Sequence, residues 1–274
     1  MTAPDLRSEG KQDIISAGKN MIKVRDITLG EGLPAICIPL TGATVKEVLV
    51  QAEQAAISEA DIAEWRADLC GEVMDGTCGI PHVIREIRER LGNKALLFTL
   101  RTKKEGGAAD KDGEAYKGLL KEALSQPDGI DMIDIEMSAG EDVVAALTAA
   151  AERAGVLSVI SSHDFEKTPE DPELEALAEA LDKTGGDIAK IAVMPQSTED
   201  VERIRALADK IKNGLMKKPY LLISMGETGK ETRLDAGALG SVMTFGALTE
   251  KQLSAPGQVT VSELKKELLR RSRL

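Results

Sequence analysis

The sequence predicts an α/β protein built as a (β/α)₈ barrel, a TIM barrel, and three observations carry that prediction. Eight short apolar runs centre on Ile36, Ile62, Leu97, Met132, Val159, Ile191, Leu222 and Val242. Longer segments of helical period, rich in Ala, Leu, Glu and Lys, lie between them, including 45–57, 81–91, 112–126, 141–154, 172–183 and 198–212. Strand and helix alternating at this spacing call for parallel strands with crossover helices, and eight repeats is the number that closes a barrel. The competing architecture is an open doubly wound sheet. Its usual reason, nucleotide binding, is missing, because no G-x-G-x-x-G follows a strand and no G-x-x-x-x-G-K-[ST] occurs.

The chain of 274 residues is long enough for one large domain, since barrels of this kind run to roughly 250 residues as one unit. Residues 1–20 are polar and without period, and are expected to be a mobile leader or an appended remnant; residues 21–274 are expected to form one catalytic domain. Six aromatics (one Trp, two Tyr, three Phe) leave the core to aliphatic side chains. The net charge of −11 argues against a nucleic-acid partner and requires any anionic substrate to be held by local arginines. Three cysteines without a C-x-x-C suggest neither a disulfide framework nor a zinc site and fit a reducing cytosol. No apolar run of about 18 residues occurs, so a soluble, cytoplasmic protein with no membrane partner is expected.

Taken in order, Ile22–Arg25 alternates, Leu29-Gly30-Glu31-Gly32 reads as a turn, and 35–40 is an apolar run. This predicts a short N-terminal hairpin that closes the barrel bottom and feeds the first barrel strand. Among helix starts, Ser197-Thr198-Glu199-Asp200 resembles a capping box, and Thr168-Pro169 offers a cap followed by proline. Residues 262–274 have the composition of a closing helix.

Chemistry in such a barrel sits where strands end, so polar residues in or just after the apolar runs need separate weighing. Lys190 lies inside Ile188–Met194, a run apolar on both faces. An unpaired ammonium buried there is costly, and a neutral amine is a nucleophile toward a carbonyl carbon. The bland reading is a lysine that snorkels or pairs with Asp187. Alternation puts Glu64, Arg66 and Asp68 on one side of strand two, which suits either an interior site or a structural ion pair. Arg101 follows strand three, Lys103 and Lys104 read as solvated loop residues, and Asp134-Ile135-Glu136 ends strand four. His163 ends strand five, whereas His82 follows Pro81 at a helix start and reads as structural. No G-x-S-x-G elbow accompanies Ser161 and Ser162, and one strand-end histidine does not make a metal site. A histidine and a lysine on neighbouring strands are the pair that imine-based carbonyl chemistry needs. A Schiff-base aldolase or transaldolase, and a catalytically silent binding barrel, are the alternatives.

On these residues the chain resembles type I 3-dehydroquinate dehydratase over about residues 21–265. The motifs that carry the resemblance are Glu64-Trp65-Arg66, Arg101–Gly107, Asp134-Ile135-Glu136, Ser162–Phe165, Lys190–Pro195, Arg233-Leu234 and Ser254–Gln258. The resemblance implies a TIM barrel hydro-lyase (EC 4.2.1.10), usually a homodimer. Such an enzyme needs no metal or organic cofactor and removes water from 3-dehydroquinate to give 3-dehydroshikimate in the shikimate pathway. It further implies that Lys190 forms an imine with the substrate ketone, His163 moves protons and Glu105 orients His163. Glu64, Arg66 and Arg101 would hold ring hydroxyls, Arg233, Ser254 and Gln258 the carboxylate, and Met225 and Phe165 would pack on the ring. Pro39 stands where some members have serine and is left out of the site. The loop 246–253 is slightly longer than in some members, and Gly106-Gly107 and 255–257 read as loops able to close over a substrate.

Overall fold

A computed structural model describes residues 21–249 and 257–272. Eight parallel strands form the barrel: β3 (Ala35–Leu40), β4 (Ile62–Arg66), β5 (Ala95–Thr99), β6 (Met132–Glu136), β7 (Leu157–Asp164), β8 (Ile188–Val193), β9 (Tyr220–Ser224) and β10 (Met243–Phe245). They pair in the order β10-β3-β4-β5-β6-β7-β8-β9. The last seam, β9 to β10, is bridged by Val242 N donating to Tyr220 O at 2.8 Å and by Leu222 N donating to Ser241 Oγ at 3.0 Å. Around the strands run α1 (Val45–Ile57), the short α2 (Gly71–Met74), α3 (Ile80–Leu91), α4 (Gly113–Leu124), α5 (Glu141–Ala154), α6 (Asp171–Lys183), α7 (Thr198–Lys210), α8 (Gly226–Leu234), the short α9 (Ala236–Leu239) and α10 (Val261–Arg271). The expected (β/α)₈ barrel is therefore the fold, and the expected leader lies outside the described residues.

Strand alternation divides the apolar side chains into two bodies. One fills the barrel with residues such as Cys37, Ile62, Leu97, Met132, Val159 and Ile188. The other lies between strands and helices, where Trp65 meets Phe98 edge to face at 5.5 Å. The hairpin β1 (Ile22–Val24) and β2 (Ile27–Leu29) adds Val24 and Leu29 to the interior body beside Ala35 and Ala95, the first residues of their strands. It closes the bottom as expected, but its turn is Arg25-Asp26 rather than 29–32. Arg25 takes a left-handed φ of 49° to make the two-residue connection. The glycines at 30 and 32 serve the link to β3 instead.

Two helix starts also differ from expectation. Ser197 is the N-cap of α7 but makes no side-chain capping bond; the shorter Asp200 carboxylate reaches back to Gln196 N at 2.7 Å. A full capping box is present at α1, where Thr44 and Glu47 bond reciprocally. Helix α6 begins three residues beyond Thr168, with Glu170 as N-cap and Pro172 in its first turn. Among the described residues no helix is long and apolar enough to cross a membrane.

Candidate active site

The polar interior begins at the C-terminal half of the strands. Lys190 is buried on β8, next in register to Ser161 on β7. Its Nζ lies 3.4 Å from Asp134 Oδ2 and 3.8 Å from Glu64 Oε1, and 4.6 Å from the centre of the Phe245 ring. The expectation of an unpaired amine is thus corrected: strands β4 and β6 carry carboxylates inward at the same level. Asp187, the partner the bland reading offered, instead accepts from Ser158 at 2.8 Å.

His163, two residues along β7 from Ser161, is on the same inward face and one step nearer the mouth. Glu105 Oε2 accepts from His163 N at 3.2 Å and shares a proton with Nδ1 across 2.8 Å. Whichever partner holds that proton, Nε2 is the ring atom turned away from Glu105. Burial, then the positive Arg101, Lys190 and Arg66, push the imidazole well below its ordinary pKa. Burial raises the Glu105 carboxyl to about 7, against the pull of Arg101 and with help from Glu136 and Asp134. The Glu105 carboxyl is therefore poised near neutral pH beside an imidazole that burial keeps neutral.

Arg101 is buried after β5, and its guanidinium is largely committed. Nη1 donates to Glu136 at 2.9 Å and Ser161 at 3.1 Å and lies 3.4 Å from Glu105; Nη2 donates to Asp134 at 2.8 Å. One Nη2 hydrogen remains for a ligand. Arg66 is held by both oxygens of Asp68 at 2.8 Å, and Asp68 also accepts from Arg101 N and Ala108 N. Glu64 takes the Thr99 hydroxyl at 2.9 Å.

Arg233, near the end of α8, is the opposite case. It is 3% exposed, makes no ion pair among the described residues, and its buried Nε has no hydrogen-bond partner. Burial alone lowers its pKa, to about 10. Gln258 is buried, and the adjacent Gly257 packs so closely on the Gly226 backbone at the start of α8 that a Cβ would collide with it. Ser254, expected beside Gln258, lies outside the described residues. Met225 is buried in the interior body, and the half-exposed Phe165 stacks on His163 with centroids 6.3 Å apart. Gly106 and Gly107 both permit close approach: a Cβ at the first would strike the Phe165 ring and at the second the Arg101 backbone.

A family model described as type I 3-dehydroquinase matches residues 36–272. The chain belongs to that family. It is 39% identical to a 3-dehydroquinate dehydratase of Bacillus subtilis (strain 168) over 249 residues, which is 91% of this chain and 96% of the relative. It is 40% identical to one of Klebsiella pneumoniae (strain 342) over 246 residues, 90% and 96% of the two chains. Among solved structures, the type I 3-dehydroquinate dehydratase of Clostridium difficile with covalently modified comenic acid superposes with a TM-score of 0.86 at 33% identity, covering 93% of this chain and 98% of that one. The Geobacillus kaustophilus 3-dehydroquinate dehydratase gives 0.87 at 31% identity, covering 93% and 97%. Membership of the type I 3-dehydroquinase family places the chain among hydro-lyases and does not favour the aldolase or silent-barrel alternatives.

Sequence reading had not assigned roles to Asp134, Glu136, Ser161, Asp68 or Phe245, all of which touch the predicted residues. The first two alternate with Ile133 and Ile135 in an otherwise apolar strand, the same signal that singled out Lys190.

Proposed function

We propose that this type I 3-dehydroquinase dehydrates 3-dehydroquinate to 3-dehydroshikimate in the barrel mouth. The observation that supports it most is the combination of a buried Arg233, without an acidic partner among the described residues, with the amine–imidazole pair of Lys190 and His163. A buried guanidinium without a protein carboxylate is stabilised by an anion from outside, and 3-dehydroquinate brings one.

In this reading the Lys190 amine adds to the substrate ketone and water leaves, forming a cationic imine. His163 removes a proton from the neighbouring carbon, and the electron pair moves into the imine to give an enamine. The enamine expels the β-hydroxyl, which takes a proton from His163 and departs as water. Hydrolysis of the conjugated imine releases 3-dehydroshikimate and restores the amine. Glu105 fixes the imidazole and tunes its proton affinity, worth part of the roughly 10² to 10⁴ of general acid/base catalysis. Glu64, Arg66 and the remaining Arg101 hydrogen take ring hydroxyls, Arg233, Ser254 and Gln258 take the carboxylate, and Met225 and Phe165 pack on the ring. We further propose that residues 21–274 are one catalytic unit acting as a cytoplasmic homodimer. Adding 3-dehydroquinate to the folded protein is expected to raise the enone absorbance of the product; an unchanged spectrum would remove the reading.

A further inference from the structure

The seam between β5 and β6 pairs through only Leu97↔Met132 and Phe98↔Ile133, whereas the neighbouring β6–β7 ladder runs through five residue pairs. Beyond Phe98 the two strands part, and side chains occupy the gap. Glu136, the last residue of β6, is 1% exposed. Its carboxylate accepts from Arg101 Nη1 at 2.9 Å, Thr102 N at 2.8 Å and Thr102 Oγ1 at 2.5 Å. Its own backbone N, which has no β5 partner in the open seam, donates to the hydroxyl of Tyr116 at 3.0 Å. Tyr116 comes from the outer layer on α4 and is itself buried.

Thr102 is the N-cap of the 3-10 turn Lys103–Glu105, whose last residue bonds His163. One carboxylate therefore anchors both the guanidinium beside Glu105 and the start of the turn that carries Glu105. Resting on the dehydratase reading for its reaction, the geometry points to Glu136 as a positioning residue for the Glu105–His163 proton pair, with Tyr116 as the strut that holds Glu136 in the open seam. The hydrogen bonds of Glu136 go to Arg101, Thr102 and Tyr116 and not to the imidazole. It acts by placing Arg101 and the 103–105 turn, and by contributing one of the negative charges that face Glu105.

The charged groups facing the pair are Arg101 after β5, Arg66 after β4, Asp134 and Glu136 on β6, and Lys190 on β8. Removing one negative member of that set makes any proton on the pair less well held, so its macroscopic midpoints move to lower pH. The chain has only two histidines, and His82 is exposed on α3 and bonded to Arg85, away from this set. Imidazole resonances of ¹⁵N-histidine-labelled full-length protein therefore read the pair directly, without substrate, with His82 as an internal reference.

The expected result for Glu136→Gln is a His163 titration shifted to lower pH with His82 unmoved, and kcat on 3-dehydroquinate reduced by up to about 100-fold, the scale of a misplaced catalytic group. Tyr116→Phe keeps the ring and every charge and serves if Glu136→Gln does not fold. It is expected to lower kcat several-fold at unchanged KM while reduction still traps substrate on Lys190. A His163 titration and kcat at parent values in the folded Glu136→Gln, or in Tyr116→Phe a parent kcat or a loss confined to KM, would overturn the assignment. A parent protein inactive on 3-dehydroquinate would refute the dehydratase reading, and the histidine titration would still decide the role of Glu136.

Discussion

Two seams of this barrel lack a full strand ladder, β5–β6 beyond Phe98 and β9–β10 along its length, and a buried arginine stands beside each. At β5–β6 the gap is filled by Arg101, gripped by Asp134, Glu136 and the nearby Glu105. At β9–β10 the backbone of Arg233 accepts from the Thr244 hydroxyl, while its guanidinium has no acidic partner among the described residues. Both residues are 3% exposed, so burial does not distinguish them. Charge compensation does. Burial opposes the charge of Arg101, but Asp134, Glu136, Glu105 and Glu64 outweigh it and raise its pKa; Arg233 has burial alone and is lowered. A buried cation gripped by protein carboxylates is fixed in place, and one with no acidic partner among the described residues is a place for an anion.

In the proposed reading the β5–β6 side positions the proton-transfer pair and the β9–β10 side holds the substrate carboxylate, and the variants with the largest expected effects separate them. His163→Ala is expected to lower kcat by roughly 10² to 10⁴, with covalent capture on Lys190 surviving. Steady-state kinetics with intact-mass analysis checks it, and a near-parent rate would move the acid/base role to Glu105 or water. Next, Arg101→Met leaves three buried carboxylates without their cation and is expected to cost about 3 to 5 kcal/mol of stability in urea unfolding. The matched Arg233→Met breaks no ion pair among the described residues and is expected to be close to neutral in the same assay, so equal losses would erase the distinction. Arg233→Lys keeps the charge but loses the planar fork. It should weaken substrate binding by about 1.5 to 3 kcal/mol by calorimetry.

The smallest effect concerns pH. The folded pKa of Glu105, raised to about 7, lies above that of the unfolded chain, so the folded state holds this proton better. Its stabilising contribution is complete below the ordinary carboxyl pKa and is lost as pH rises through about 7. His163, lowered by burial, acts with the opposite sign, since the unfolded chain holds its proton better. Glu105→Gln lacks the first contribution, so its melting temperature relative to the parent should climb between acid and neutral pH. A flat difference would contradict the raised carboxyl.

Features set by local pattern were legible in the sequence. Apolar runs gave the strands, and a lysine in such a run gave Lys190. Glu105 was different: it sits in a charged turn indistinguishable from solvated loop, and only family resemblance singled it out, because the His163 contact closes across 58 residues. Asp134 and Glu136 were visible as acids facing one way, but their partners come from the loop after β5 and from β7, β8 and α4, which no local pattern specifies. The hairpin turn was misplaced because Gly30 and Gly32 are the stronger turn signal, while the actual turn forces an arginine to positive φ. The resemblance names Arg233 as a carboxylate ligand, but the absence of an acidic partner for it among the described residues is a property of the folded molecule.

The central claim is that Lys190 is the amine that takes the substrate. Sodium borohydride added with 3-dehydroquinate, followed by peptide mass analysis, tests it most directly. The account predicts inactivation and a reduced ligand adduct on the peptide containing Lys190, with neither when substrate is left out. Labelling at Lys103 or Lys104, or turnover without any trapped adduct, would contradict it.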